Sequence, residues 1–423
     1  MPIFKLGSIG IQVMKIQAVL RKIGYNLNTI DGIYGRETEE AVKNFQKNNG
    51  LAPDGIIGPN TYRVLRDFIL GYNTYIVKPG DTLYNIAQEY KTQVYKITVA
   101  NPQVHALGLI PGTILKVPYD IDVVDTNINY TYDILEQDLV GLEARYPFII
   151  IGNAGQSVLG RKIYYVRLGV GPNEVSYNGS HHSLEWITTP LLMKFIENFA
   201  KAYAEGRNIR GYSPADIWRR SSIYIVPMVN PDGVDLVLNG LQRSNPFYNE
   251  LIRWNKGKTN FSKDWQANNR GVDINHNYNA GWEFSKAAEP SYGVYGPGPT
   301  RYSGPYPESE PETRSMVVFT NSHNFRLVLA YHSQGEVIYW QYNALTPPES
   351  RRIGELFARV SGYRLEQTSG ITSYSGYKDW FIKSHGRPGF TIEVGKGTNP
   401  LPITQFPKIY NDNEEILLLA SVI

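Results

Sequence analysis

From about residue 125 to residue 423 the chain alternates between short apolar runs and longer stretches with apolar residues every third or fourth position. No other feature of the sequence limits its fold as strongly. The apolar runs are Phe148–Ile151, Ile163–Leu168, Ile223–Val229, Leu327–Tyr331, Val337–Trp340 and Phe390–Val394. Helical stretches lie between them, notably 189–205, 309–324, 350–362 and 405–420. Strands that are apolar throughout must be covered on both sides. The pattern therefore predicts an α/β domain over 125–423, with a mixed sheet and helices on both faces. Residues 285–307, rich in Gly, Pro and Tyr, read as a long loop, and loops of that length usually serve a function or are disordered.

The N-terminal part is built differently, so the chain is multidomain. Asp31-Gly32-Ile33-Tyr34-Gly35 returns as Asp54-Gly55-Ile56-Ile57-Gly58, two turn signals with glycine available for positive φ. Val13, Ile16, Leu20 and Ile23 keep helical spacing, as do Ala41 and Phe45, and Thr61, Val64 and Leu65 belong to a third helix. This predicts a small three-helix domain over 1–70. Its string of residues, from Gly10 and Gly24-Tyr25 through Phe45-Gln46 to Asp54-Gly55, Gly58 and Thr61, resembles the peptidoglycan-binding domain of cell-wall hydrolases. Over 74–118 a short β-run enters Pro79-Gly80-Asp81-Thr82-Leu83, where Asp81 or Thr82 can cap a following helix bearing Ile86, Ala87 and Tyr90. Asn101-Pro102, Pro111-Gly112 and the run Ile114–Pro118 complete a strand–helix–helix–strand order. This resembles a LysM module, which implies βααβ structure and binding of glycan containing N-acetylglucosamine.

Composition excludes several classes. With no cysteine, disulfides, thiolate metal sites and cysteine nucleophiles are impossible, so any metal site must be built from His and carboxylates. A net charge of +3 without a basic run gives no support to nucleic-acid binding. No window approaches the roughly twenty apolar residues of a membrane span. The opening MPIFKLGSIG does not read as a signal peptide.

There are seven histidines, at 105, 181, 182, 276, 323, 332 and 385. His182 stands three residues before Glu185, a spacing that puts both side chains on one face at a helix start. His181 is four residues before the same Glu, so spacing alone leaves both open. Catalytic zinc takes three protein ligands and keeps a fourth position open. His332, at the end of the run Leu327–Tyr331, is the candidate third ligand, because α/β domains place their sites at strand ends. Glu393 lies inside the apolar run Phe390–Val394. An unpaired charge there is expensive, a nearby zinc offsets that cost, and a Glu tuned in this way could act as general base.

Taken in order, His182-x-x-Glu185-Trp186, Asn230-Pro231-Asp232-Gly233, Gly271-Val272-Asp273-Ile274-Asn275-His276-Asn277, His332-Ser333 and Phe390-Thr391-Ile392-Glu393 resemble the zinc carboxypeptidases. The resemblance implies one Zn2+ per chain held by His182, Glu185 and His332, with Asp273 orienting His182 and Glu393 as catalytic base. It also implies an oxyanion-stabilising Arg, for which Arg270 is the candidate and Arg253 and Lys258 are alternatives. A substrate-capping Tyr is implied before Asp379-Trp380. Tyr374 is the choice, although its spacing is short. Asn275 and His276 fall where the family grips a terminal carboxylate, but His276 replaces the usual Arg. Lys378 falls at the floor of the pocket for the residue after the cut. With the wall modules, the arrangement resembles γ-D-glutamyl-diamino-acid endopeptidases of spore-forming bacteria. That implies cleavage of the γ-D-glutamyl–meso-diaminopimelate bond of stem peptides, at the cell wall or spore, outside the cytoplasm. The alternatives are a wall-tethered carboxypeptidase acting on ordinary peptides and a non-catalytic wall-binding protein.

Overall fold

The chain is described by a computed structural model covering residues 3–105 and 108–423. These residues form two units: one runs to Ile128 and takes in Asp133–Ile150, and the other comprises Asn129–Tyr132 with Ile151–Ile423.

In the first unit α1 (Ile11–Lys22), α2 (Arg36–Asn48) and α3 (Pro59–Leu70) pack around Val13, Ile16, Leu20, Phe45 and Leu65. The repeated turns are bound in the same way. Gln17 Nε2 donates at 3.0 Å to Asp31, to the Ile33 carbonyl and to Thr38, while its Oε1 accepts from the Gly32 amide. Gln46 Nε2 donates likewise to Asp54, to the Ile56 carbonyl and to Thr61, and its Oε1 accepts from Gly55. Next come β1 (Tyr72–Ile76), α4 (Leu83–Glu89), α5 (Val94–Ala100) and β2 (Ile114–Pro118), with β1 and β2 antiparallel. Of the two candidate caps, Thr82 accepts from the Asn85 amide, whereas Asp81 accepts from the Lys78 amide and the Tyr75 hydroxyl. Helix α6 (Tyr132–Arg145) closes the unit. Lys15, buried on α1, reaches Asp125 at 2.8 Å and Asp138 at 2.9 Å, and Lys22 also pairs with Asp125.

The second unit is built on one sheet in the order β3-β4-β6-β5-β7-β10-β8-β9. In chain order it comprises β3 (Ile150–Gln156), β4 (Lys162–Leu168), β5 (Asn173–Gly179), α7 (Thr188–Glu205), α8 (Pro214–Arg220), β6 (Ser221–Val226), α9 (Pro231–Asn239), α10 (Tyr248–Trp254), α11 (Trp282–Ala288), α12 (Pro311–Asn321), β7 (Leu327–Ser333), β8 (Val337–Tyr339), α13 (Ser350–Ser361), β9 (Arg364–Glu366), α14 (Tyr377–His385), β10 (Gly389–Val394) and α15 (Phe406–Ala420). Strands β6, β5, β7 and β10 are mutually parallel, and β4 and β8 run antiparallel to their inner neighbours. Every residue of β6 and β7 is buried. Successive side chains point to opposite faces, so both faces of the sheet centre are covered.

The expected strand at 223–229 ends at Val226, since Pro227 has no amide to continue the ladder. Two strands, β5 and β9, are absent from the sequence reading. The long 285–307 segment begins in α11 and includes a 3-10 turn at Glu289–Tyr292. Among the described residues no helix is long and apolar enough to cross a membrane.

Candidate active site

Central strand β5 ends at Gly179, paired with Tyr331 of β7, and the chain then turns through Ser180, whose φ is 53°. The Ser180 amide donates to Thr188 Oγ1, the Asn230 amide to the Ser180 carbonyl, and the Asn230 side chain to the His181 carbonyl. Asn230 also caps α9, accepting from the Gly233 amide, with Pro231 as the first helical residue. This clasp fixes the segment carrying His181 and His182. His182 precedes a 3-10 turn, Ser183–Glu185, rather than an α-helix. Three residues per turn stack His182 directly against Glu185.

His182 Nδ1 lies 2.9 Å from Glu185 Oε1, and His332 Nδ1 lies 2.9 Å from Glu185 Oε2. One ligand atom from each of the three residues falls within 4.8 Å of the others. His181 faces elsewhere, with its Nε2 2.9 Å from the Tyr278 hydroxyl. The structure thus brings together His182, Glu185 and His332, from two strand ends and one turn. Two imidazole nitrogens and a carboxylate on one point are the donor set of catalytic zinc, which leaves a position for water or substrate. The other nitrogen of His182 lies 3.0 Å from Asp273 Oδ1. Asp273 is held in turn by the Arg301 amide at 2.9 Å, from the long loop. Such outer carboxylates set the tautomer and direction of a ligand imidazole.

The electrostatics are those of a buried charge cluster. Burial alone would push the His182 imidazole down, but the Glu185 and Asp273 carboxylates outweigh it and hold the group well above its ordinary value. Burial opposes ionisation of Glu185, yet His182 and His332 bring it down to about 2. Glu393, on β10 in register with His332, is different. Burial pushes its carboxyl well above the carboxylate range, and the Glu185 charge adds to the rise while His182 opposes it.

Glu393, His182 and His332 line a cavity of about 180 Å³, with Asn275, His276, Tyr374, Lys378, Asp379 and threonines 368, 372 and 391. Lys378 is only 3 % exposed; its Nζ donates to the Gln341 carbonyl at 2.6 Å and is ion-paired with Asp379. His276 is buried with Nδ1 3.3 Å from Ser285 Oγ, and burial lowers its pKa despite Asp273. Asn275 Oδ1 accepts from the Tyr377 amide at the start of α14. Arg270 does not line this cavity. Its side chain is 44 % exposed, 3.9 Å from Glu310. Arg253 and Lys258 lie outside it too, Lys258 pairing with Asp264. The sequence reading missed Asn399, whose side-chain amide donates to the Ser333 carbonyl at 2.6 Å and approaches Glu185 at 3.4 Å. No local motif marks it, because it comes from a loop 214 residues beyond Glu185.

Comparison with known proteins agrees with this geometry. A peptidoglycan binding domain model matches residues 10–65 and a LysM domain model 75–118. γ-D-Glutamyl-L-diamino acid endopeptidase 1 of Lysinibacillus sphaericus is 44 % identical over 296 residues, covering 70 % of this chain and 73 % of that protein. The uncharacterised protein YqgT of Bacillus subtilis is 37 % identical, covering 69 % of this chain and 77 % of that one. The crystal structure of carboxypeptidase A from Helicoverpa armigera superposes with a TM-score of 0.53 at 15 % identity, over 83 % of this chain and 97 % of the other, a likeness of fold. The zinc carboxypeptidase model matches residues 135–416, and the chain belongs to the zinc carboxypeptidase family.

Proposed function

We propose that this metallopeptidase cuts the γ-D-glutamyl–meso-diaminopimelate bond of peptidoglycan stem peptides, while its N-terminal modules hold glycan containing N-acetylglucosamine. The observation that carries the reading is the chemistry of the cavity beside Glu393. It is lined by threonines and a buried Lys378, not by the apolar wall that an ordinary hydrophobic side chain would need. The relative from L. sphaericus, named for γ-D-glutamyl-L-diamino acid substrates, points the same way. The protein then works at the cell wall or spore, outside the cytoplasm.

In this reading His182, Glu185 and His332 hold the ion, and Asp273 keeps the His182 ring aimed. Zinc, when bound, supplies Lewis acidity to the scissile carbonyl and to the attacking water. Glu393 takes the water's proton and returns it to the leaving nitrogen. Arg270 offsets the developing oxyanion charge, its exposed guanidinium being free to leave Glu310. Tyr374 closes over the substrate. Asn275 and His276 face the part beyond the cut. A buried neutral imidazole lacks the permanent charge and forked donors of Arg, so the grip on a free C-terminus is weak, which suits a substrate that continues past the scissile bond. Lys378 pairs with the far carboxylate of diaminopimelate.

Digestion of defined muropeptides followed by mass spectrometry tests this. Products split between D-glutamate and diaminopimelate are expected. Release of single C-terminal residues from ordinary peptides instead would assign the tethered carboxypeptidase reading, and no turnover with zinc bound would assign a binding protein.

A further inference from the structure

The first unit holds a groove of about 480 Å³ with walls from both N-terminal modules. Asp67 and Phe68 come from α3 and Asn49 follows α2. Asn73 lies on β1, Tyr90 follows α4 and Tyr119 follows β2. Phe68 and Tyr119 stack at 4.5 Å with 16° between planes, and Tyr90 sits tilted against Tyr119 at 6.4 Å. All three rings are half-buried, so part of each faces solvent.

The polar groups of the groove offer acceptors. Asn49 commits a side-chain N–H to the Phe45 carbonyl and Asn73 commits its own to the Tyr119 hydroxyl, and neither side-chain oxygen accepts a hydrogen bond from the described residues. Among the described residues no hydrogen bond or ion pair engages Asp67, and its half-burial raises the carboxyl pKa despite Arg63 and Arg66 nearby. A partly desolvated carboxylate without a donor is costly to keep unless a ligand completes it. Glu89 and Asp120 add carboxylates against one cation, Lys91, and Asp120 is already paired with Lys96. Such a lining repels phosphate-rich polymers and free carboxylates. It suits a neutral chain with many hydroxyl and N–H donors and apolar ring faces.

We infer that this groove between the modules is a saccharide-binding site that takes the glycan strand of peptidoglycan, with Asp67 and Tyr90 as its principal contacts. The inference rests on the reading of the two modules as wall-binding, and it assigns binding to the seam between them rather than to either alone.

The test uses the full chain and the hexamer of N-acetylglucosamine, which has no peptide to cleave. Affinity is measured by calorimetry for the wild type, Asp67→Ala and Asn73→Trp, the last filling the groove with a bulky ring. Asp67→Ala is expected to weaken binding about ten-fold, as loss of a charge-assisted hydrogen bond does, with no fall in Tm. Asn73→Trp is expected to weaken it at least as much. Wild-type affinity in both variants overturns the inference while leaving the modules as glycan binders. No binding by the wild type overturns the module reading with it. Weaker retention only on walls bearing teichoic acid, with the hexamer unaffected, would hand the groove to an anionic polymer and equally overturn the inference.

Discussion

Replacing Glu393 by Gln removes one proton acceptor and almost nothing else. The two side chains have the same shape, and among the described residues no hydrogen bond to the Glu393 carboxylate is lost. The backbone stays held between β7 and β8 through the pairs Glu393↔His332 and Glu393↔Val337. A positioned general base contributes about 10²–10⁴-fold, so turnover should fall by that factor, about 2.7–5.4 kcal/mol of barrier. Stability should move the other way. A carboxyl with a folded pKa above its unfolded one is penalised when ionised. The penalty is absent below the unfolded value of about 4.3, grows as pH rises toward the folded pKa, and stays constant above it. Chelated wild type should therefore melt below chelated Glu393→Gln at pH 7, and the two should converge near pH 4. The assays are steady-state hydrolysis of a γ-D-glutamyl-diaminopimelate peptide and thermal melts at both pH values. His276, buried and with its pKa lowered by that burial, is another proton acceptor lining the cavity. Full activity in Glu393→Gln with activity lost in His276→Gln would refute the assignment.

Three further expectations can be checked directly. His332→Ala should lose zinc and activity together, and Asp273→Asn should bind zinc about 10–100-fold more weakly, both read by metal analysis after dialysis against a chelator series; full occupancy in His332→Ala would remove the three-residue site. Lys378→Ala should erase a preference for diaminopimelate over lysine in the residue after the cut, and an unchanged ratio of kcat/KM values would show that Lys378 reads no carboxylate. Lys15→Met should destabilise the first unit by about 3 kcal/mol in urea unfolding, since it removes the buried cation that both Asp125 and Asp138 face; a loss under about 0.5 kcal/mol, the ordinary scatter of surface changes, would mean that the trio is balanced by something else.

The same ion cluster bears on how wall targeting should be tested. Cutting at residue 120 would take Lys15 away from Asp125 and Asp138, and α6 would lose Leu70, whose carbonyl lies 2.5 Å from where a side chain at Gly141 would begin. Loss of activity in that truncation would report damage to α6 as readily as loss of wall binding.

The parts of the fold that were legible in sequence are those whose burial is apolar. Leu327–Tyr331 and Phe390–Val394 could be read as strands because nothing in them competes with a buried ladder. Strand β5, Asn-Glu-Val-Ser-Tyr-Asn-Gly, could not, although it delivers the chain to His182. Its Ser176 and Asn178 are fully buried, and in sequence such residues look like turn formers. The site showed the same division. His182, Glu185, His332 and Glu393 sit in local patterns with a chemical meaning. Asn399 and the Arg301 amide support that cluster from distant loops and leave no local trace. Arg270 carries no local sign of where its side chain lies, 3.9 Å from Glu310 and outside the cavity lining.

The twin glutamine clasps of the three-helix module carry a consequence for its growth. Helix α2 holds both halves of a joint, Thr38 that closes onto Gln17 and Gln46 that closes onto Thr61. Counting back eight residues from Gln17 reaches Ile9, and counting on eight from Thr61 reaches Ile69, so each outer helix lacks the half that would face a further neighbour. This is the construction of a short solenoid, with one interior repeat and two capping ends. A second copy of residues 36–58 inserted after Gly58 would meet a complementary half-joint on each side, and the module could lengthen by one helix without any new kind of contact.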